Sequence, residues 1–259
     1  MTPKFTPPVA HEESSVLLHG VSWDTYDSLR NDLDACEGQH VYLTYDRGDL
    51  EISSVLLHGV AWSTYNSLRR DLDARGQNIY LTYDRGDLEI MPPLPIHERW
   101  KVILGWLIEG FVDELGLDVY SLAQSTFRRD DLERGLEPDC CYYIEHASEV
   151  LGKDRLNLEH DPPPDLAIEV DMSHRSIDRE PTYAAMGVPE LWRLRAGRIQ
   201  FLERASTGTY QEIERSIAFP FLMSRQLQEF IPTLPIALDG VVRRHIRKWV
   251  RDTFANPKP

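Results

Sequence analysis

The segment PPPDLAIEVD, residues 162–171, has the residue types and spacing best suited to chemistry. As a strand it sends Leu166, Ile168 and Val170 to one face and Ala167, Glu169 and Asp171 to the other. Carboxylates two apart on one strand face stand roughly 6.5–7 Å apart along the strand. Beside a buried strand they repel unless a cation sits between or next to them, so one reading is a hard-cation site. The other is the solvated face of an edge strand. A second acid strengthens the first reading. In LEPDCCYYI, residues 136–144, Asp139 opens another apolar run. Pro138 cannot donate to a ladder, which suits the position just before a strand. If the two runs are neighbours, Asp139 and Glu169 converge on one ion. With the Val170 carbonyl and waters they would suit octahedral Mg²⁺ (or Mn²⁺). Such an ion lowers the pKa of bound water and offsets charge on a phosphoryl transition state.

Other chemistries find less support. The GxSxG and P-loop patterns are absent, against a serine hydrolase or an NTPase. Three cysteines, with no CxxC pair, exclude a disulfide framework and a zinc knuckle. Cys140 and Cys141 alternate strand faces, so one is expected to be buried and inert. His19 and His58 occupy the same place in two copies of a repeat and read as structural. Trp192 and Tyr183 read as core.

The elements that must position the acids begin with that repeat. Residues 14–52 recur as 53–90, identical at all but seven aligned positions once one residue is deleted. Two copies are too few for a solenoid, so this is a local tandem duplication. In the second copy Trp62, Tyr65, Leu68 and Leu72 form a helical stripe. IYLTYDRGDLEIM then reads as a hairpin over Asp84-Arg85-Gly86-Asp87. That turn reads as structural rather than as a binding loop. Residues 92–97, PPLPIH, break the chain, and the following segment is a buried helix whose broad face holds Val102, Ile103, Trp106, Leu107, Ile108 and Val112. Gly116 suits its C-cap. Strands are expected at about 118–123, 140–145 and 165–171, a helix at 176–187, and a hairpin over Ala196-Gly197. The expected class is a mixed α/β domain.

The set PPLPIHE (92–98), LEPD (136–139), PPPDLAIEVD (162–171), YAAMGVPELWR (183–193) and LTYDRGDLEIMPP (81–93) resembles the Uma-two family of putative restriction endonucleases, in the PD-(D/E)xK nuclease superfamily. The likeness covers about 53–251. It implies a restriction-endonuclease-like fold, a central mixed sheet flanked by helices. It also implies divalent-metal-dependent cleavage of DNA and a homodimer. Residue by residue, it implies that Asp139 is the Asp of the PD step and Glu169 the acid of (D/E)xK. Glu98 matches the acid on the first core helix. The motif lysine is replaced by Asp171, which on residue type alone joins the candidate metal ligands. Many members carry the lysine on the next helix, four residues before its tyrosine; here that position is Arg179. An arginine holds phosphate oxygens but cannot serve as a base. Ser173, His174 and Ser176 lie in the connecting loop, where they would position substrate.

Lys and Arg total 28 against 42 Asp and Glu, a net charge of −14. That excludes strong indiscriminate binding to nucleic acid unless cations gather locally or a metal supplies the charge. Two places qualify: Arg128 with Arg129, and the final helix, where Arg244, Arg247, Lys248 and Arg251 share a face. Phosphate contact and carboxylate pairing within the protein are the competing readings. The expected organisation is a tail (1–13), an accessory helix–hairpin copy (14–52), an integrated copy (53–91), a nuclease-like core (92–239) and a basic C-terminal helix with its tail (240–259). No apolar run approaches a membrane span and no secretory leader is evident, so a cytoplasmic protein is expected. The leading function is a Mg²⁺-dependent endonuclease on DNA. The alternative is a catalytically inactive member of the same fold that binds nucleic acid or a protein.

Overall fold

Steps of three and four put Tyr65, Leu68 and Leu72 on one side of a helix, and in the computed structural model all three are fully buried there. The structure describes residues 15–36, 41–52, 55–77, 79–92, 94–122, 125–171, 177–234 and 236–255; Ser173, His174 and Ser176 lie outside them. The first copy of the repeat forms β1 (Val16–Leu18), α1 (Trp23–Asp34), β2 (Leu43–Asp46) and β3 (Asp49–Ile52). The second forms β4 (Leu56–Leu57), α2 (Trp62–Ala74), β5 (Tyr80–Asp84) and β6 (Asp87–Met91). There follow α3 (Pro95–Leu115), β7 (Tyr120–Leu122), β8 (Phe127–Arg129), β9 (Arg134–Leu136), β10 (Cys140–Tyr143), α4 (Ala147–Val150) and β11 (Leu166–Asp171). The chain continues with α5 (Glu180–Met186), β12 (Glu190–Arg195), β13 (Arg198–Arg204), β14 (Tyr210–Ile213), α6 (Ser224–Phe230) and α7 (Asp239–Val250).

These elements make two units. The first takes residues 1–93, 126–137 and 173–182, the second 94–125, 138–172 and 183–259. The stretch expected as one core, 92–239, is therefore shared between them. Strand pairing is the cause. β9 adds to β5 with Tyr83 opposite Gly135, and β8 adds to β9, giving the order β4-β6-β5-β9-β8. The Tyr65 ring lies in the space a side chain at position 135 would fill, so only glycine lets this strand close over α2. The first copy makes its own sheet, β1-β3-β2. Both hairpins turn through an Arg-Gly pair with positive φ, Arg47-Gly48 and Arg85-Gly86, the two-residue turn whose twist matches that of its strands. Val16, Leu18, Leu29, Leu50 and Ile52 join Leu57, Tyr65, Leu68, Leu88 and Ile90 in one core.

The second unit is built on a six-stranded mixed sheet, β14-β13-β12-β11-β10-β7, antiparallel except where β11 runs parallel to β12. The parallel step explains why α5 intervenes between those strands. α3 opens with Pro95 in its first turn and ends on Gly116 in the left-handed conformation. Its buried stripe is Ile103, Leu104, Leu107, Ile108 and Phe111, packed on Leu166, Ile168 and Val170 of β11. Val102, expected on the buried face, is 43% exposed, because a position one residue off the stripe turns toward water. Each large apolar side chain buried in the stripe contributes about 1.5–3 kcal/mol. α7 seals the same core with Val242, Ile246 and Val250, and Trp249 stacks on Phe230 at 4.1 Å. Among the described residues, no helix is long and apolar enough to cross a membrane.

Candidate active site

The two acid-bearing runs are neighbours. β10 and β11 pair antiparallel with Cys140 opposite Ile168, and one further step in that register sets Asp139 opposite Glu169. Asp139 is 0% exposed and Glu169 4%. Two carboxylates at such a depth cost several kcal/mol unless their oxygens are satisfied. The Val170 amide donates to Asp139 Oδ2 at 2.7 Å, and the Tyr183 hydroxyl donates to Glu169 Oε1. His97 Nε2 lies 3.0 Å from Asp139 Oδ2, while its Nδ1 lies 3.2 Å from Glu98 Oε1. Glu98 Oε2 is in turn 3.5 Å from Lys101 Nζ. The first turns of α3 thus present a row, Lys101, Glu98, His97, that ends on Asp139.

His97 and Tyr183 are the residues that reading the sequence missed. Tyr183 is buried as expected, but its hydroxyl meets the second acid. The signal for His97 was its place: the residue preceding Glu98, at the start of the helix that covers the sheet. Asp171, in the motif lysine's position, lies 3.4 Å from Arg195, its partner across the β11–β12 pair. Cys140 adjoins the acids, yet burial, reinforced by the Asp139 charge, pushes its thiol up to about 12, so it offers no thiolate near neutral pH. Cys141 is fully buried and its thiol too is held above the ordinary range.

Arg179 belongs to the first unit, where it is 5% exposed and donates to the Glu137 carbonyl at 2.5 Å. Glu137 also pairs with Arg69 at 2.5 Å.

Among the described residues, no group of three or more His, Cys, Asp and Glu is arranged to hold a metal ion. Mg²⁺ asks for less, one or two carboxylates and several waters, and Asp139 with Glu169 are the residues that could hold it.

The basic residues are engaged within the protein to different extents. Arg247 lies 2.5 Å from Glu114 and 3.4 Å from Asp113, and Arg251 lies 2.9 Å from Glu114. These arginines hold the Glu114 carboxyl below its usual range. Arg243 meets Glu109, and Lys248 meets Asp252. Arg244 is exposed and makes no ion pair among the described residues. Arg129 is paired twice with Asp131 at 2.7 Å, and Arg128 donates to Asn66 at 3.3 Å.

A mixed sheet covered by a long helix, with two buried acids facing each other across adjacent inner strands, is a restriction-endonuclease-like fold. Residues 62–239 match the family model Uma2, described as "Putative restriction endonuclease", and the chain belongs to that family. The match begins inside the second copy of the repeat and leaves the first copy outside it. No curated protein matches the sequence.

Proposed function

We propose that this protein is a Mg²⁺-dependent endonuclease that hydrolyses phosphodiester bonds in DNA. The observation that carries the reading is the facing pair of buried carboxylates, Asp139 and Glu169, on adjacent strands of a nuclease fold. These two would hold the ion. When bound, it would activate a water and offset charge on the scissile phosphate. The remaining work belongs to the chain. His97 and the Val170 amide fix the Asp139 carboxylate, and Tyr183 fixes Glu169, as outer partners do around metal ligands. Glu98 orients His97 from its other ring nitrogen. On the family spacing Arg179 stands at the position where many members carry the lysine; an arginine can offset phosphate charge but cannot act as a base.

The second reading, a non-catalytic binding protein of the same fold, is favoured by Asp171 standing where the motif has lysine. Supercoiled plasmid incubated with Mg²⁺ or Mn²⁺ separates the two. Nicking that is lost in Glu169→Ala supports the nuclease. Binding without metal-dependent nicking supports the alternative.

A further inference from the structure

The two copies of the repeat touch each other through reciprocal contacts. The Ser22 amide of the first copy donates to Asp71 Oδ2 of the second at 2.8 Å. The Ala61 amide of the second donates to Asp32 Oδ2 of the first, also at 2.8 Å. Ser22 and Ala61 occupy the same place in the repeat, as do Asp32 and Asp71. A second contact is doubled in the same way. A Cβ at Gly20 would stand 2.5 Å from the Arg75 side chain, and one at Gly59 would stand 3.1 Å from Cys36 Cβ. Gly20 matches Gly59, and Cys36 matches Arg75. α1 and α2 pack together, and Leu29 and Leu33 share one core with Leu68 and Leu72.

Reciprocity of this kind is the mark of an isologous interface, in which one patch meets a second copy of itself. A head-to-tail array would pair two different patches and leave one of each open at its ends. Here each copy uses the patch once, and both are filled. The second copy alone carries every group the contact needs. It has the Ala61 amide as donor, Asp71 as acceptor, and Gly59 beside the space that Arg75 would fill. The donor shared by both copies is the backbone amide, so the contact tolerates Ser22 against Ala61, although the Ser22 hydroxyl adds a bond to Asp71 at 2.8 Å that Ala61 lacks. Cys36 and Arg75 each lie against a glycine.

We infer that residues 14–52 act as a built-in second subunit. They cover, within the chain, the self-complementary face by which the unit of residues 53–91 pairs with another copy of itself. The face is closed to other molecules, and the inference stands whether or not the chain is a nuclease.

Gly59→Cys in the full chain tests it, because the new sulfur would face native Cys36. Mild oxidation should give a disulfide within one chain, identified by a cross-linked peptide joining positions 36 and 59, at a yield independent of protein concentration. A disulfide-linked dimer, or no cross-link at all, overturns the inference. Position 59 has φ of 73°, so the paired change Ser22→Cys with Asp71→Cys repeats the test without a left-handed residue. A second measurement opens the face. Leu29→Asp in the full chain removes the fully buried centre of α1. It should double the molar mass by light scattering at micromolar concentration, and adding Asp71→Arg should return it to monomer. A folded Leu29→Asp chain that stays monomeric overturns the inference; should that variant not fold, Asp32→Arg, at the half-buried acceptor of the Ala61 amide, is read by the same two outcomes.

Discussion

His97 Nε2 and Asp139 Oδ2 lie 3.0 Å apart, joining the start of α3 to the strand end that carries the first acid. Both residues are buried, so the contact matters to stability as well as to any chemistry. His97→Ala leaves Asp139 with less compensation and is expected to cost about 1–3 kcal/mol. Glu98→Gln keeps the shape and removes a partly exposed charge, and should cost under about 1 kcal/mol. Urea unfolding of both variants checks the order.

Asp139→Asn and Glu169→Gln remove one negative charge each at nearly constant shape. Wild type should gain thermal stability on adding Mg²⁺ or Mn²⁺, by about 2.7 kcal/mol at a hundred times the dissociation constant. Each variant should lose most of that gain while unfolding without metal near the wild-type temperature. Calorimetry at millimolar metal that finds no binding, with or without DNA, would return the protein to the binding-module reading.

Arg179→Ala separates holding a metal from using it. Metal-dependent stabilisation should persist and plasmid nicking should vanish, followed by gel electrophoresis beside the melting curves. Loss of a buried guanidinium that donates to Glu137 should also lower the baseline stability by about 1–3 kcal/mol. Nicking is therefore compared at a temperature where both proteins are folded.

Salt dependence reports whether α7 meets phosphate. Arg244 is exposed, whereas Arg247 is engaged by Glu114 and Asp113. Arg244→Ser should reduce the log–log slope of DNA affinity against salt by about 0.9, and Arg247→Ser by less. Equal slopes in wild type and Arg244→Ser would make α7 a solvated, internally paired surface.

His146 offers a pH test away from the acids. Its Nδ1 lies 2.5 Å from Asp165 Oδ1, and that hydrogen bond raises its pKa above the ordinary 6.5. The folded state holds the proton more tightly than the unfolded one. The contribution is thus complete below about pH 6.5 and is lost as pH rises through the raised value. The stability difference between wild type and His146→Gln should shrink over that interval. A difference independent of pH between about 5 and 9 would show that the pair does not titrate with folding.

Much of this arrangement is written locally. The α2 stripe, the Arg-Gly turns and the apolar runs around Asp139 and Glu169 each follow from periodicity or turn chemistry within a few residues. The facing of Asp139 and Glu169 needed one further fact, that β10 and β11 are neighbours, which no local pattern states. Closure of β9 over α2 was hidden for the same reason: it depends on Gly135 meeting Tyr65, far earlier in the chain. Tyr183 reads only as core, and His97 only as part of a chain break, because burial and hydrogen bonding to an acid look alike in sequence. A tyrosine among apolar residues reads as core until its hydroxyl is given a partner.

Joining the two repeat copies covalently changes how their contact depends on abundance. Between separate chains, pairing through the Asp71–Ala61 patch would rise and fall with expression. Within one chain the partner's effective concentration is set by the covalent link itself, on the order of millimolar for short linkers. An interface of only micromolar strength is then filled almost completely at any cellular level.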